Sequence, residues 1–181
     1  IKASNYNLSV RTLPSFLDIA DGKKGLADLN ELEIDDLLGR QKVTPNQELM
    51  KKNIYNKTIL VTGAGGSIGR QLCREILDIR PKKILLLDSN EFSLYSILNE
   101  LDSLKGNNPI KIIPLLSSIQ DKENINLIFQ TWQPDTIYHT AAYKHVPIVE
   151  HNLAEGVKNN VFGTLVIAQA SLEWGLSLIH I

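Results

Sequence analysis

The chain's 181 residues and 43% hydrophobic content suit one globular domain with a sizeable core. Nineteen basic residues against twenty acidic ones leave a net charge of −1 with no basic arm or cluster, which excludes nucleic acid as an expected partner. The longest aliphatic runs are about five residues, far short of a bilayer span, and the N-terminus lacks a signal-peptide core, so no membrane contact is expected from this segment.

Residues 1–57 form a lead-in, too short and too poor in apolar residues for a core of its own, and expected to pack as an arm on the following domain or on a partner subunit. Pro14-Ser15 ahead of Phe16, Leu17 and Ile19, closed by Gly22, predicts a one- to two-turn helix, and a second short element is expected over 33–38. Thr44-Pro45 puts a capping residue before a proline at the first helical position and predicts a helix over 47–54.

From Thr58 onward the pattern alternates strand and helix. Strands are expected at 58–62, 83–88, 110–115, 135–139 and 176–181, and helices at 67–80, 91–104, 122–132 and 153–174. The single cysteine, Cys73, falls on the apolar face of the first of these helices and reads as a buried structural thiol, in keeping with a reducing cytoplasm. Regular alternation with right-handed crossovers gives an α/β fold: a Rossmann-like, doubly wound parallel sheet of order 3-2-1-4-5 over 58–181, truncated at its C-terminus, after an N-terminal, mostly helical arm over 1–57. Its ligand crevice lies at the carboxyl edge, between the first and fourth strands.

At that edge Gly63, Gly66 and Gly69 stand between a buried strand and a helix. One glycine suits the turn, one the approach of a diphosphate to the helix N-terminus, and one the contact of helix with strand. Asp88 ends the second strand 19 residues beyond Gly69, where an acid binds a ribose hydroxyl pair. The acid favours NAD over NADP, but Arg70, at the start of the helix, keeps NADP open. Ser89 reads as a helix cap. Ser118 and Ile119 suit the edge and face of an adenine, with a helix cap ahead of Asp121 as the alternative reading of Ser118. Thr140, Ala141 and Ala142 follow the fourth strand, small enough for the backbone to approach the rest of a dinucleotide. Lys144 is the first cation past them and a candidate for a substrate diphosphate or sugar oxygen. His139 and His145 lack metal-ligand spacing with any cysteine or acid, so no metal is expected.

The helix over 153–174 places Leu153, Val157, Asn160, Val161, Thr164, Leu165, Ala168 and Leu172 on one inward face, with Asn160 as a buried amide in need of partners. Phe162 and Val166 point the other way, which suggests a packing partner such as a second subunit's helix.

As a set, Thr62-Gly63-Ala64-Gly65-Gly66-Ser67-Ile68-Gly69, Leu87-Asp88-Ser89-Asn90-Glu91, Ala141-Ala142-Tyr143-Lys144-His145-Val146-Pro147-Ile148-Val149-Glu150 and Asn159-Asn160-Val161-Phe162-Gly163-Thr164 resemble the extended short-chain dehydrogenase/reductase superfamily. More closely they resemble bacterial UDP-N-acetylhexosamine 4,6-dehydratases of capsule and glycan biosynthesis. Leu13-Pro14-Ser15 and Ile34-Asp35-Asp36-Leu37-Leu38-Gly39-Arg40 resemble the lead-in of their large, membrane-anchored members.

The resemblance implies hydride transfer from sugar C4 to NAD(P)+, loss of water across C5 and C6, and return of hydride to C6. It implies Gly66, Ser67, Ile68 and Gly69 on the pyrophosphate, Asp88 and Ser89 on the adenosine, and Thr140 and Ala141 along the cofactor. It implies Lys144 toward a UDP-sugar and Asn160 in support of the active site. The family's Thr-Asp-Lys and Tyr-x-x-x-Lys or Met-x-x-x-Lys elements do not occur in Leu176-Ser177-Leu178-Ile179-His180-Ile181. The chain, starting at Ile1, is therefore expected to be the cofactor-binding part of a longer cytoplasmic enzyme, without catalytic residues and inactive alone, with anchoring of the parent protein to the inner membrane left open. A nucleotide-sugar 4-epimerase and a non-catalytic dinucleotide-binding module are the alternatives.

Overall fold

The computed structural model describes residues 11–12, 30–31 and 46–180, in a chain that divides into two compact units, Ile1–Pro45 and Asn46–Ile181. In the first unit β1 (Arg11–Thr12) pairs antiparallel with β2 (Asn30–Glu31), Arg11 opposite Glu31. These described pieces are strands, where the lead-in reads as mostly helical; the helix expected between Ser15 and Gly22 and the short element expected over 33–38 lie outside the described residues.

The second unit opens on α1 (Gln47–Ile54), capped by Asn46, whose side chain accepts from the N–H groups of Glu48 and Leu49 at 3.1 Å. The cap is therefore not Thr44, and Pro45 precedes it rather than following it. Ile54 is buried and the Asn53 carbonyl accepts from Thr136 Oγ1 at 2.9 Å, so the helix grouped with the lead-in by sequence belongs to the sheet's own core.

The sheet has five parallel strands. In chain order they are β3 (Thr58–Thr62), β4 (Lys83–Asp88), β5 (Lys111–Leu116), β6 (Thr136–His139) and β7 (Ser177–His180), arranged β5-β4-β3-β6-β7. This is the expected 3-2-1-4-5 order, with β3 central and Thr62 level with both Leu87 and His139. The edge strand β5 begins one residue later than read. It carries Pro114 opposite Leu86, which an edge tolerates because a missing N–H need not be paired on the outer side.

Alternation along the strands divides the core in two. Ile59, Val61, Ile84 and Leu86 pack with Ile54 and with Cys73, Ile76, Leu94, Ile97 and Leu101 from α2 (Ser67–Asp78) and α3 (Glu91–Lys105). Leu60, Leu85, Leu87 and Ile137 pack with Ile125, Ile128 and Phe129 of α4 (Lys122–Trp132) on the other face. Two-sided cover explains why β3 and β4 read as unbroken aliphatic runs.

The C-terminal helical region departs from its sequence reading. Val146–His151 forms α5, with Pro147 in its first turn, where the sequence reading gave a loop. The expected helix over 153–174 is α6 (Leu153–Val157), a π-helical stretch (Lys158–Gly163) and α7 (Thr164–Glu173). Its buried side is Gly156, Asn159, Gly163, Ile167, Ala170 and Ser171, while Leu153, Val157, Val161, Leu165 and Leu172 are exposed. The expected inward face is thus the outward one. Close approach selected the buried side, since a Cβ on Gly163 would lie 2.6 Å from Ile119 Cδ1. Val166 also turns inward onto the second core, whereas Phe162 is exposed as read. No helix among the described residues is long and apolar enough to cross a membrane.

Candidate functional site

The carboxyl ends of β3, β4 and β6 meet at the turn from Gly63 to Gly66. Gly63 takes φ +66°, and a Cβ there would lie 2.8 Å from the backbone N and Cα of Ala141, so both conformation and space require glycine. At Gly69 a Cβ would overlap the Gly63 carbonyl oxygen. Gly65 was not singled out by sequence. Its missing side chain admits Ser93 of α3, whose Cβ would stand 2.5 Å from a Cβ at that position.

The turn is fastened from both sides. The Ala64 N–H donates to the Leu87 carbonyl at 3.2 Å, and the Gly65 N–H donates to Asp88 Oδ2 at 2.9 Å. Asp88 Oδ1 accepts from the Asn90 N–H at 2.9 Å, so one carboxylate ties the glycine turn to the entry of α3. From β6, Thr140 Oγ1 donates to the Thr62 carbonyl at 2.7 Å. Buried His139 spans the same level, with Nδ1 at 2.7 Å from Thr62 Oγ1 and Nε2 at 2.9 Å from Thr164 Oγ1.

Helices α1, α3 and α4 are capped by the side chains of Asn46, Asn90 and Asp121. Ser89 is therefore not the cap of α3, and Asp121 itself caps α4, while Ser118 Oγ accepts from the Gln120 N–H at 3.2 Å. The N-cap of α2 is Gly66, which offers no side chain, so the first turn of α2 presents its N–H groups to the crevice.

Two crevices adjoin there. One, about 830 Å³, is lined by Gly63, Gly66, Ser67, Ile68, Gly69, Thr140, Ala142 and Lys144, and by the far wall from Ile148 to Gly156. The other, about 160 Å³, is lined by Asp88, Ser89, Ser118, Ile119, Ala141, Leu87, Ser117 and Asn159. Gly63, Gly66, Thr140, Ala142 and Tyr143 border both. Thirteen of the fourteen residues singled out by sequence therefore converge on one continuous site.

The fourteenth, Asn160, stands behind it. Its Oδ1 accepts from the Tyr143 N–H at 2.8 Å and its Nδ2 donates to the Tyr143 carbonyl at 2.9 Å, clamping the backbone that carries Lys144. The deeply buried amide is its neighbour Asn159, which donates to Asn160 Oδ1 at 3.0 Å and lines the smaller crevice. Both residues lie in the π-helical stretch Lys158–Gly163, where their amides bond each other. Lys144 Nζ donates to Ser67 Oγ at 2.8 Å, which sets its charge at the N-terminus of α2.

Crevices on either side of a glycine turn, at the point where strand order reverses, define the class: a Rossmann-type α/β nucleotide-binding domain. Residues 59–179 match the family model described as polysaccharide biosynthesis protein, and the chain belongs to that family. It is 40% identical over 165 residues to the capsular polysaccharide biosynthesis protein CapD of Staphylococcus aureus, covering 91% of this chain and 27% of that one. It is 30% identical over 121 residues to the inverting UDP-N-acetylglucosamine 4,6-dehydratase of Campylobacter jejuni, covering 66% of this chain and 34% of that one. The fold matches the UDP-glucose 4-epimerase of Stenotrophomonas maltophila, solved with bound NAD and formylated UDP-arabinopyranose. That match has a TM-score of 0.62 at 22% identity, over 68% of this chain and 36% of the other. The chain thus spans about a third or less of the length of these relatives.

Proposed function

We propose that this chain is the dinucleotide-binding part of a nucleotide-sugar 4,6-dehydratase that converts UDP-N-acetylglucosamine to a 4-keto-6-deoxy sugar nucleotide for bacterial polysaccharide biosynthesis. The observation that carries it is the turn itself, bare of side chains, fastened by Asp88, and bordered by both crevices. These residues fit NAD, because the uncapped first turn of α2 can receive a diphosphate that a Cβ-lined turn would exclude.

Gly63, Gly66, Ser67, Ile68 and Gly69 would hold the pyrophosphate. Asp88 and Ser89 would hold the adenosine ribose, and Ser118 and Ile119 the adenine. Thr140, Ala141 and Ala142 would run along the remainder, with Asn160 fixing the Tyr143 backbone and Lys144 facing the substrate's diphosphate. Bound NAD supplies a reversible hydride acceptor. The chain's residues supply position and charge: Lys144 adds a cation beside the helix N-terminus, and the residues from Ile148 to Gly156 form the far wall of the larger crevice.

The proton-transferring residues belong to parts of the protein outside this chain, which by itself should form no 4-keto product from UDP-N-acetylglucosamine and NAD+. Product formation by the chain alone would overturn that. Full-length protein should yield a product that has lost its C6 hydroxyl; retention of that hydroxyl with inversion at C4 would support the 4-epimerase alternative. The exposed apolar row from Val157 to Leu172 supports a homo-oligomer.

A further inference from the structure

Arg70 is the cation that directly follows the glycine turn, and on sequence it is the residue that keeps NADP open. The fold gives it a different partner. Its Nη1 lies 3.3 Å from Glu100 Oε2, across the interface of α2 and α3, and among the described residues its side chain bonds Glu100 alone. Arg74 also bonds Glu100, and has a second acceptor in Gln71 Oε1 at 2.7 Å.

Position matters here. Asp88 lines the smaller crevice, read above as the adenosine side, and accepts from the Gly65 N–H, while Ser93 of α3 packs against Gly65. Glu100 is seven residues further along α3 than Ser93, about 10 Å down the helix axis. The Cα of Arg70 is four residues, about 6 Å along the helix axis, past Gly66. A long flexible side chain at Arg70 can therefore extend toward the smaller crevice or down the flank, and Glu100 draws it down the flank.

We infer that Glu100 is a specificity-determining residue for the dinucleotide: it holds Arg70 away from the ribose 2′ position, so that Arg70 does not offset the Asp88 charge, and so sets a preference for NAD over NADP. This rests on the dinucleotide reading above and deepens it. A 2′-phosphate would meet the Asp88 carboxylate without the Arg70 guanidinium beside it, whereas a 2′-hydroxyl can donate to that carboxylate.

The test is calorimetric titration of the intact protein with NAD+ and NADP+ for wild type, Glu100→Ala, Glu100→Gln, Arg70→Ala and the Glu100→Ala/Arg70→Ala double variant. The pair is partly exposed, so the variants should fold, and Arg74 keeps Gln71 when Glu100 is gone. Wild type should prefer NAD+. Glu100→Ala should tighten NADP+ about fivefold, the size of one partly exposed charge pair, with NAD+ changed less than about twofold. Glu100→Gln should show a smaller gain of the same sign. The double variant should lose the gain, and Arg70→Ala alone should leave NADP+ as in wild type. Unchanged NADP+ affinity in Glu100→Ala with NAD+ binding intact would overturn the inference, as would a gain that survives in the double variant. Folded wild type that binds neither dinucleotide would instead overturn the dinucleotide reading itself.

Discussion

Gly63→Ala should destabilise the protein whether or not a ligand is bound, because the cost lies in the backbone. The residue sits at φ +66°, where an L side chain costs about 1–2 kcal/mol. The new Cβ would also stand 2.8 Å from the Ala141 N and Cα, backbone atoms that cannot rotate aside; such overpacking costs about 1–3 kcal/mol. Together these give about 2–5 kcal/mol, against a total of about 5–15 for an ordinary domain, and a fall in Tm of about 5–15 °C. Gly66→Ala is the control. Gly66 has φ −72°, and its Cβ would meet only the Gly63 oxygen, at 3.2 Å. It should change stability by less than about 1 kcal/mol, since the loss of unfolded-state freedom offsets the tight contact. Urea denaturation of both variants beside wild type measures this. Equal midpoints for Gly63→Ala and wild type would refute the geometry of the turn.

Other outcomes follow from single contacts. Asn160→Leu removes both bonds to the Tyr143 backbone and should cost about 1–3 kcal/mol, with faster hydrogen exchange at the Tyr143 amide; unchanged exchange would contradict the clamp. Phe129→Ala empties a fully buried position in the second core and should cost about 3–5 kcal/mol in urea unfolding. Burial pushes the Cys73 thiol up to about 12, so native protein should resist thiol reagents at pH 8 and react once unfolded. The folded state keeps that proton while the unfolded state releases it near its ordinary 9.0, so the thiol's contribution to stability is complete below pH 9 and is lost as pH rises toward 12. Stability measured across that range should fall.

Strands β3 and β4 were legible because burial on both faces demands continuous aliphatic runs, and the glycine turn because its spacing follows from backbone approach. Asp88 was legible as the acid that ends β4; its bonds to Gly65 and Asn90 were not, since they depend on how α3 packs. Caps were misplaced where polar residues adjoin. Asn90 rather than Ser89 caps α3, because local register decides which side chain meets the N–H at Ser93. The largest misreading concerns α6 and α7. There Gly156 and Gly163 face inward beside Ile167 and Ala170, while Leu153, Val157, Val161, Leu165 and Leu172 lie outside, so the hydrophobic periodicity taken as a core stripe marks the outer surface. The π stretch adds a second difficulty, since a sequence read at a regular 100° per residue loses its register across Lys158–Gly163. Glu100 sits 30 residues from Arg70, and no local pattern connects them.

The most direct test of the central claim is titration of NAD+ into intact protein and into a Gly66→Val variant. Gly66 is exposed with extended backbone that valine accepts, so the variant should fold while its side chain fills the diphosphate path. One saturable NAD+ site in wild type, weakened at least about tenfold in a Gly66→Val variant that remains folded, is the expected result. Folded wild type without NAD+ binding, or equal affinity in the two proteins, would contradict it.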